Sequence, residues 1–118
     1  MALDTTLTLE INNKYFEFFQ NKDLNGLRKL YADNIMLKDW LGEWIGVDSV
    51  LDENVEFFKN DFTLTLVSTT ELYQEDASNP IGYLNNITIE VNGETINIVD
   101  QLLFDDTYKI ISIYATQQ

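Results

Sequence analysis

In the first sixty or so residues apolar positions recur every three or four places, and from Phe62 onward they alternate with polar ones. The first period belongs to helices and the second to half-buried strands. Thr5 or Thr6 is placed to cap a first helix running to about Asn21, with Leu7, Ile11, Tyr15, Phe18 and Phe19 on one stripe and Phe16 widening it. Asp23 then caps a short helix, Leu24–Tyr31, whose inward positions are Leu24, Leu27, Leu30 and Tyr31, and Ala32-Asp33-Asn34 ends it. Ile35–Asp39 reads as a short strand. Ile35, Leu37 and Asp39 share one face, and Met36, Lys38 and Trp40 the other. Leu41–Gly46, with two glycines, reads as a loop. Asp48 or Ser49 starts a third helix to about Lys59, with Val50, Leu51, Val55 and Phe58 on its apolar side and Asn54 and Phe57 flanking.

The second half is a run of long strands. Phe62–Tyr73 carries Phe62, Leu64 and Leu66 on one side; Gln74–Pro80 is a loop; Ile81–Val91 and Glu94–Phe104 are joined by Asn92-Gly93, a strong two-residue hairpin signal. Asp105-Asp106 turns the chain into a last strand, Tyr108–Ala115. Helices followed by an antiparallel meander predict an α+β fold, in one domain spanning residues 1–118. A strongly curved sheet with the first helix across its concave side would enclose a conical pocket.

One strand carries the sharpest chemical signal. On Ile96–Phe104 a single face holds Ile96, Ile98, Asp100, Leu102 and Phe104. An unpaired charge buried there would cost on the order of several kcal/mol. Asp100 is therefore paired, protonated, or turned toward a cavity. Asp39 also continues an apolar strand face, at the strand's end. Tyr15 lies on the apolar stripe of the first helix, where its hydroxyl needs a partner.

Composition narrows the function. The chain is 45% hydrophobic and 13% aromatic, which suits a folded domain. Its formal net charge of -13, from 20 acidic and 7 basic residues, disfavours nucleic acid and anionic membranes as partners. There is no Cys and no His, which removes thiol chemistry, the commonest general base and most transition-metal sites. No apolar run approaches a membrane span, and Met1–Glu10 lacks the basic start of a signal peptide, so a cytoplasmic protein is expected.

The element order and several short motifs resemble the cystatin-like, nuclear-transport-factor-2-like superfamily. Lys22-Asp23-Leu24-Asn25-Gly26-Leu27 is similar to its link between the first two helices, and Tyr31-Ala32-Asp33-Asn34 to its lead into the first strand. Gly46 matches a glycine before the third helix, and Phe104-Asp105-Asp106-Thr107-Tyr108-Lys109-Ile110 its last turn. The implied architecture is a cone of N-terminal helices on a strongly curved antiparallel sheet. Within the superfamily the chain most resembles the ketosteroid isomerases and SnoaL-like proteins. That resemblance implies roles for Asp39 as general base and for Tyr15 and Asp100 as donors to an oxyanion. Tyr31 matches a tyrosine that supports the oxyanion tyrosine. The chain departs from the family in having Asp39-Trp40 where Asp-Pro is usual, and in lacking a tyrosine on the third helix.

The expected chemistry is cofactor-independent proton transfer on a small apolar carbonyl compound. One acid takes a proton next to the ketone, and the other, held neutral, stabilises the enolate with Tyr15. Tyr31, Trp40, Trp44, Phe58, Asn85, Ile98 and Leu102 are the expected pocket lining, although the two tryptophans could equally fill core or a dimer interface, and Asn85 could mark a strand bulge. Asp52-Glu53-Glu56 reads as a solvated helix face. Val67, Ile111 and Ile113 are expected on the outer face of the sheet, in the homodimer contact the resemblance implies. Two other functions fit the same residues: a non-catalytic module holding a small apolar ligand or a partner protein, and a polyketide cyclase or related lyase or hydrolase. Histidine-dependent dehydratases are excluded by composition. An Asp–Arg–Asp epoxide relay has only Arg28 to draw on, on a short helix.

Overall fold

The computed structural model describes residues 3–75 and 80–118. Its elements in chain order are α1 (Thr5–Gln20), α2 (Leu24–Leu30), β1 (Tyr31–Lys38), β2 (Glu43–Ile45), α3 (Val47–Phe58), β3 (Phe62–Tyr73), β4 (Pro80–Val91), β5 (Glu94–Phe104) and β6 (Ile110–Gln117). The strands form one sheet in the order β2-β1-β6-β5-β4-β3. This is the expected α+β architecture. The sheet is mixed, because β1 pairs with β6 in parallel while its other pairs are antiparallel. The α1 helix packs across β3 and β4, and α3 against β1.

The period-two half of the chain folds as its pattern dictates. The strands β3 and β5 occupy the expected ranges, and Asn92 and Gly93 both take positive φ (52° and 78°), as a two-residue hairpin turn requires. The expected loop Gln74–Pro80 lies mostly outside the described residues, and Pro80 itself already pairs with Tyr73. At the last strand the register shifts between Leu103 and Phe104, so Ile110 and Ile113 both turn inward although three residues apart. Ile113, expected on the outer face, is only 2% exposed. Val67 does face outward.

The helical half differs at its edges. Asp4, rather than Thr5 or Thr6, caps α1, its Oδ1 accepting from the Thr6 and Leu7 amides. Tyr31–Asn34 belongs to β1, not to the helix before it, because Tyr31 pairs with Ile110. The expected loop at Leu41–Gly46 contains β2, paired with β1. The third helix begins at Val47 behind Gly46, whose φ of 93° admits few other residues, and no side chain caps it.

The buried face of α1 is Thr8, Asn12, Tyr15 and Phe16, while Leu7 is exposed. Two polar residues take inward positions because the sheet supplies their partners. Thr8 Oγ1 lies 2.8 Å from the Tyr83 hydroxyl, and the Asn12 and Asn85 amides bond to each other twice at 2.9 Å. Thr69 Oγ1 donates to Asn85 Oδ1, and Asn85 Nδ2 donates to the backbone carbonyl of Asp100. This seam fixes how α1 lies on β4 and β5. Replacing Asn12 by Leu removes both bonds between the amides, leaves Asn85 only its Thr69 and Asp100 partners in a dry interface, and should cost about 2 kcal/mol. Urea unfolding is the check, with Asn13→Leu on the exposed face expected within about 0.5 kcal/mol of the parent.

Candidate functional site

Between α1, α3, the β1–β2 loop and the concave sheet lies a cavity of about 130 Å³. The cavity brings Tyr15 from α1, Asp39 from the end of β1 and Asp100 from mid-β5 together, in walls otherwise mostly apolar. Trp40 and Ile98 line it as expected. Tyr31, Trp44, Phe58, Asn85 and Leu102 do not. Tyr31 is buried behind Tyr15, with ring centroids 6.4 Å apart. Trp44 packs against the core from β2. Phe58 meets Phe19 and Phe62 edge-on and stacked, at the far end of α3. Asn85 belongs to the polar seam. Leu102 sits farther along β5, fully buried in the core opposite Tyr83.

The α3 helix is turned differently from its hydrophobic pattern, and it presents Glu53, Asn54 and Phe57 to the cavity while Val55 is exposed. Glu53 is thus a partly buried member of the lining, while Asp52 and Glu56 are exposed as expected. Asn54 is buried because Tyr31 donates a hydrogen bond to its Oδ1 at 2.8 Å. Periodicity sets Asn54 beside the apolar side of this helix, but it does not signal Glu53, a polar residue on an amphipathic helix.

Asp100 is 5% exposed and its Oδ1 has no hydrogen-bond partner. Burial, and secondarily the charge of Asp39, push its carboxyl up to about 7. The group therefore holds a proton that an ordinary Asp would have lost. Tyr15 is also raised, first by burial and then by the charge of Asp100, and its hydroxyl is coupled to that of Tyr31. Tyr15 thus stays a neutral phenol. Its chain of contacts runs on through Tyr31 to Asn54.

Asp39 is held differently. Its Oδ1 accepts from the backbone amides of Leu41 (2.7 Å) and Gly42 (3.2 Å), and its own amide donates to the Gly42 carbonyl. The turn fixes the carboxylate at the rim and leaves its other oxygen for a ligand. Trp40 and Leu41, 46% and 75% exposed, mark the open side. Glu53 at the same rim is raised by burial and by the neighbouring charges of Asp39 and Glu56. Among the described residues no Lys or Arg lines the cavity. Among the described residues no group of three or more His, Cys, Asp or Glu is placed to hold a metal ion.

No family model matches the chain, and no curated protein is similar to it. Solved structures are. A candidate ketosteroid isomerase of Kribbella flavida superposes with a TM-score of 0.83 at 16% identity, over 98% of this chain and 80% of that one. An NTF2-like protein of unknown function from Cytophaga hutchinsonii gives 0.76 at 14% identity, over 100% and 95%. A steroid delta-isomerase of Pseudomonas aeruginosa gives 0.69 at 12% identity, over 100% and 84%. Other matching structures are called cystatin-like. At these identities the likeness is one of architecture: the chain has the cystatin-like, NTF2-like fold.

Proposed function

We propose that the protein is a cofactor-independent proton-transfer enzyme acting on a small apolar carbonyl compound, by enolisation or isomerisation. The observation that carries this reading is the buried Asp100, one of whose oxygens has no partner, lining the same apolar cavity as Tyr15 and Asp39. Asp39 at the rim takes the proton from carbon. Asp100, protonated, and Tyr15 donate to the carbonyl oxygen as negative charge gathers there. The scheme is that of ketosteroid isomerases, with which the fold is shared, and it is borrowed from them. The size of the cavity argues for a smaller substrate. At about 130 Å³ it is close to an engineered cavity of about 150 Å³ that holds benzene, so one ring fills it.

The test is proton exchange. Cyclohexenone in deuterated buffer is followed by NMR with and without the protein. Faster loss of the protons α and γ to the carbonyl is expected, declining as the pH rises above about 7 because Asp100 then loses the proton it donates. Exchange no faster than in buffer alone, across a panel of one-ring ketones, overturns the reading in favour of a binding module.

A further inference from the structure

The rim of the cavity has a second chemical character that proton transfer does not use. Asp39 and Glu53 both line it, Asp100 lies below them, and the surrounding side chains are apolar or aromatic. Three acidic side chains face one small space, Asp39 and Glu53 as the charged pair at its mouth, and among the described residues no cation answers them. The ion pairs found among the described residues lie elsewhere: Glu10 with Lys14, Asp48 with Arg28, and Glu56 with Lys59. Lys38, next to Asp39 in sequence, points its ammonium over the Tyr114 ring instead. The acids are too dispersed to chelate a metal ion. What they match is a larger, softer cation at the mouth, attached to an apolar body that fills the cavity.

Trp40 adds a second attraction. Its half-exposed side chain is part of the lining at the rim. An indole face is the best aromatic surface for an ammonium group. Asp100 lines the same cavity as a buried side chain with one oxygen unpartnered, a costly arrangement that a polar ligand atom reaching its carboxyl would relieve.

We infer that the cavity binds a small apolar molecule bearing an organic ammonium group, which sits at the rim between Glu53, Asp39 and Trp40. Glu53 is the residue that sets this preference. The rim repels carboxylates and phosphates, so acidic compounds of the same size are rejected. A small amino ketone would satisfy this inference and the proposed reaction together. The subsite nevertheless stands without turnover, and its test needs none.

Three compounds on one skeleton separate charge from shape: cyclohexylmethylammonium, cyclohexylmethanol and cyclohexanecarboxylate. Each is titrated into the protein by calorimetry at physiological salt. The ammonium compound is expected to bind tightest, the alcohol about fivefold more weakly, and the carboxylate weakest. Glu53→Gln should lower affinity for the ammonium compound about fivefold and leave the alcohol within about twofold. Asp52→Asn removes the same net charge from an exposed neighbour outside the cavity, and should change neither. Equal affinity for alcohol and ammonium, no binding of the ammonium compound, or equal losses in Glu53→Gln and Asp52→Asn would each overturn the inference. A failure of ketone exchange would leave it untouched.

Discussion

Asp39→Asn is expected to slow enzyme-dependent proton exchange by roughly two to four orders of magnitude while the protein stays folded. The amide keeps the oxygen that accepts from Leu41 and Gly42, so the rim loop retains its turn. What disappears is the basic oxygen that would take the proton from carbon. Asp39→Ala would be less informative, because it also frees the loop that carries Trp40. The substitution has a second effect that runs the other way. Asp39 is one of the causes that hold Asp100 high, so its loss lets Asp100 fall part of the way back, with burial still keeping it raised. Oxyanion donation therefore weakens somewhat near neutral pH, but less than the loss of the base. Substrate affinity should change little. Rate measurements at saturating ketone separate the two. An Asp39→Asn protein that exchanges protons at the parent rate would mean that the base lies elsewhere, and the proposed mechanism would fall.

Some of this was visible in the chain and some was not, for physical reasons. The strands β3 to β5 were legible because alternation and an Asn-Gly turn are local properties. Asp100 was legible because one charge among four apolar residues on a strand face has few explanations. The inward face of α1 was not. Thr8 and Asn12 are buried by partners 75 and 73 residues away, Tyr83 and Asn85, and no helical period reports a hydrogen bond that distant. Tyr31–Asn34 failed for a similar reason, since its extended backbone is fixed by parallel pairing with the far end of the chain. Ile113 was misplaced by a single irregularity, because one register shift in β6 reverses the faces that strict alternation assigns. On α3 the cavity claims Glu53, whose polarity made it look solvent-facing. A pocket inverts the usual pattern. Its lining is read from sequence as surface when polar and as core when apolar.

The group that best fits the proposed chemistry should also weaken the fold, in a pH-dependent way. Burial, and secondarily the charge of Asp39, push the Asp100 carboxyl up to about 7 in the folded chain from an ordinary value of 3.8. Below about pH 4 the carboxyl is neutral in folded and unfolded chains alike and adds no penalty. Between about pH 4 and 7 the unfolded chain ionises there and the folded chain does not, so stability falls by about 1.4 kcal/mol per pH unit. Above about pH 7 the loss levels off at about 4 kcal/mol. Asp100→Asn removes the titration while keeping shape and polarity. The variant should match the parent near pH 3.5 and exceed it by about 4 kcal/mol at pH 8, a rise in Tm of about 16 °C. Comparing the two proteins at each pH cancels the contribution of the other acids, which both share. Thermal unfolding from pH 3.5 to 8 measures the difference directly, and a constant or reversed gap would mean that Asp100 is solvated or paired in the folded protein. The same variant should lose ketone exchange, because an amide at that position is a weaker donor than a carboxylic acid to a developing oxyanion. Gain of stability together with loss of turnover is the signature of a residue kept in a costly state for its chemistry. A core residue that merely lacked a partner would show the first effect without the second.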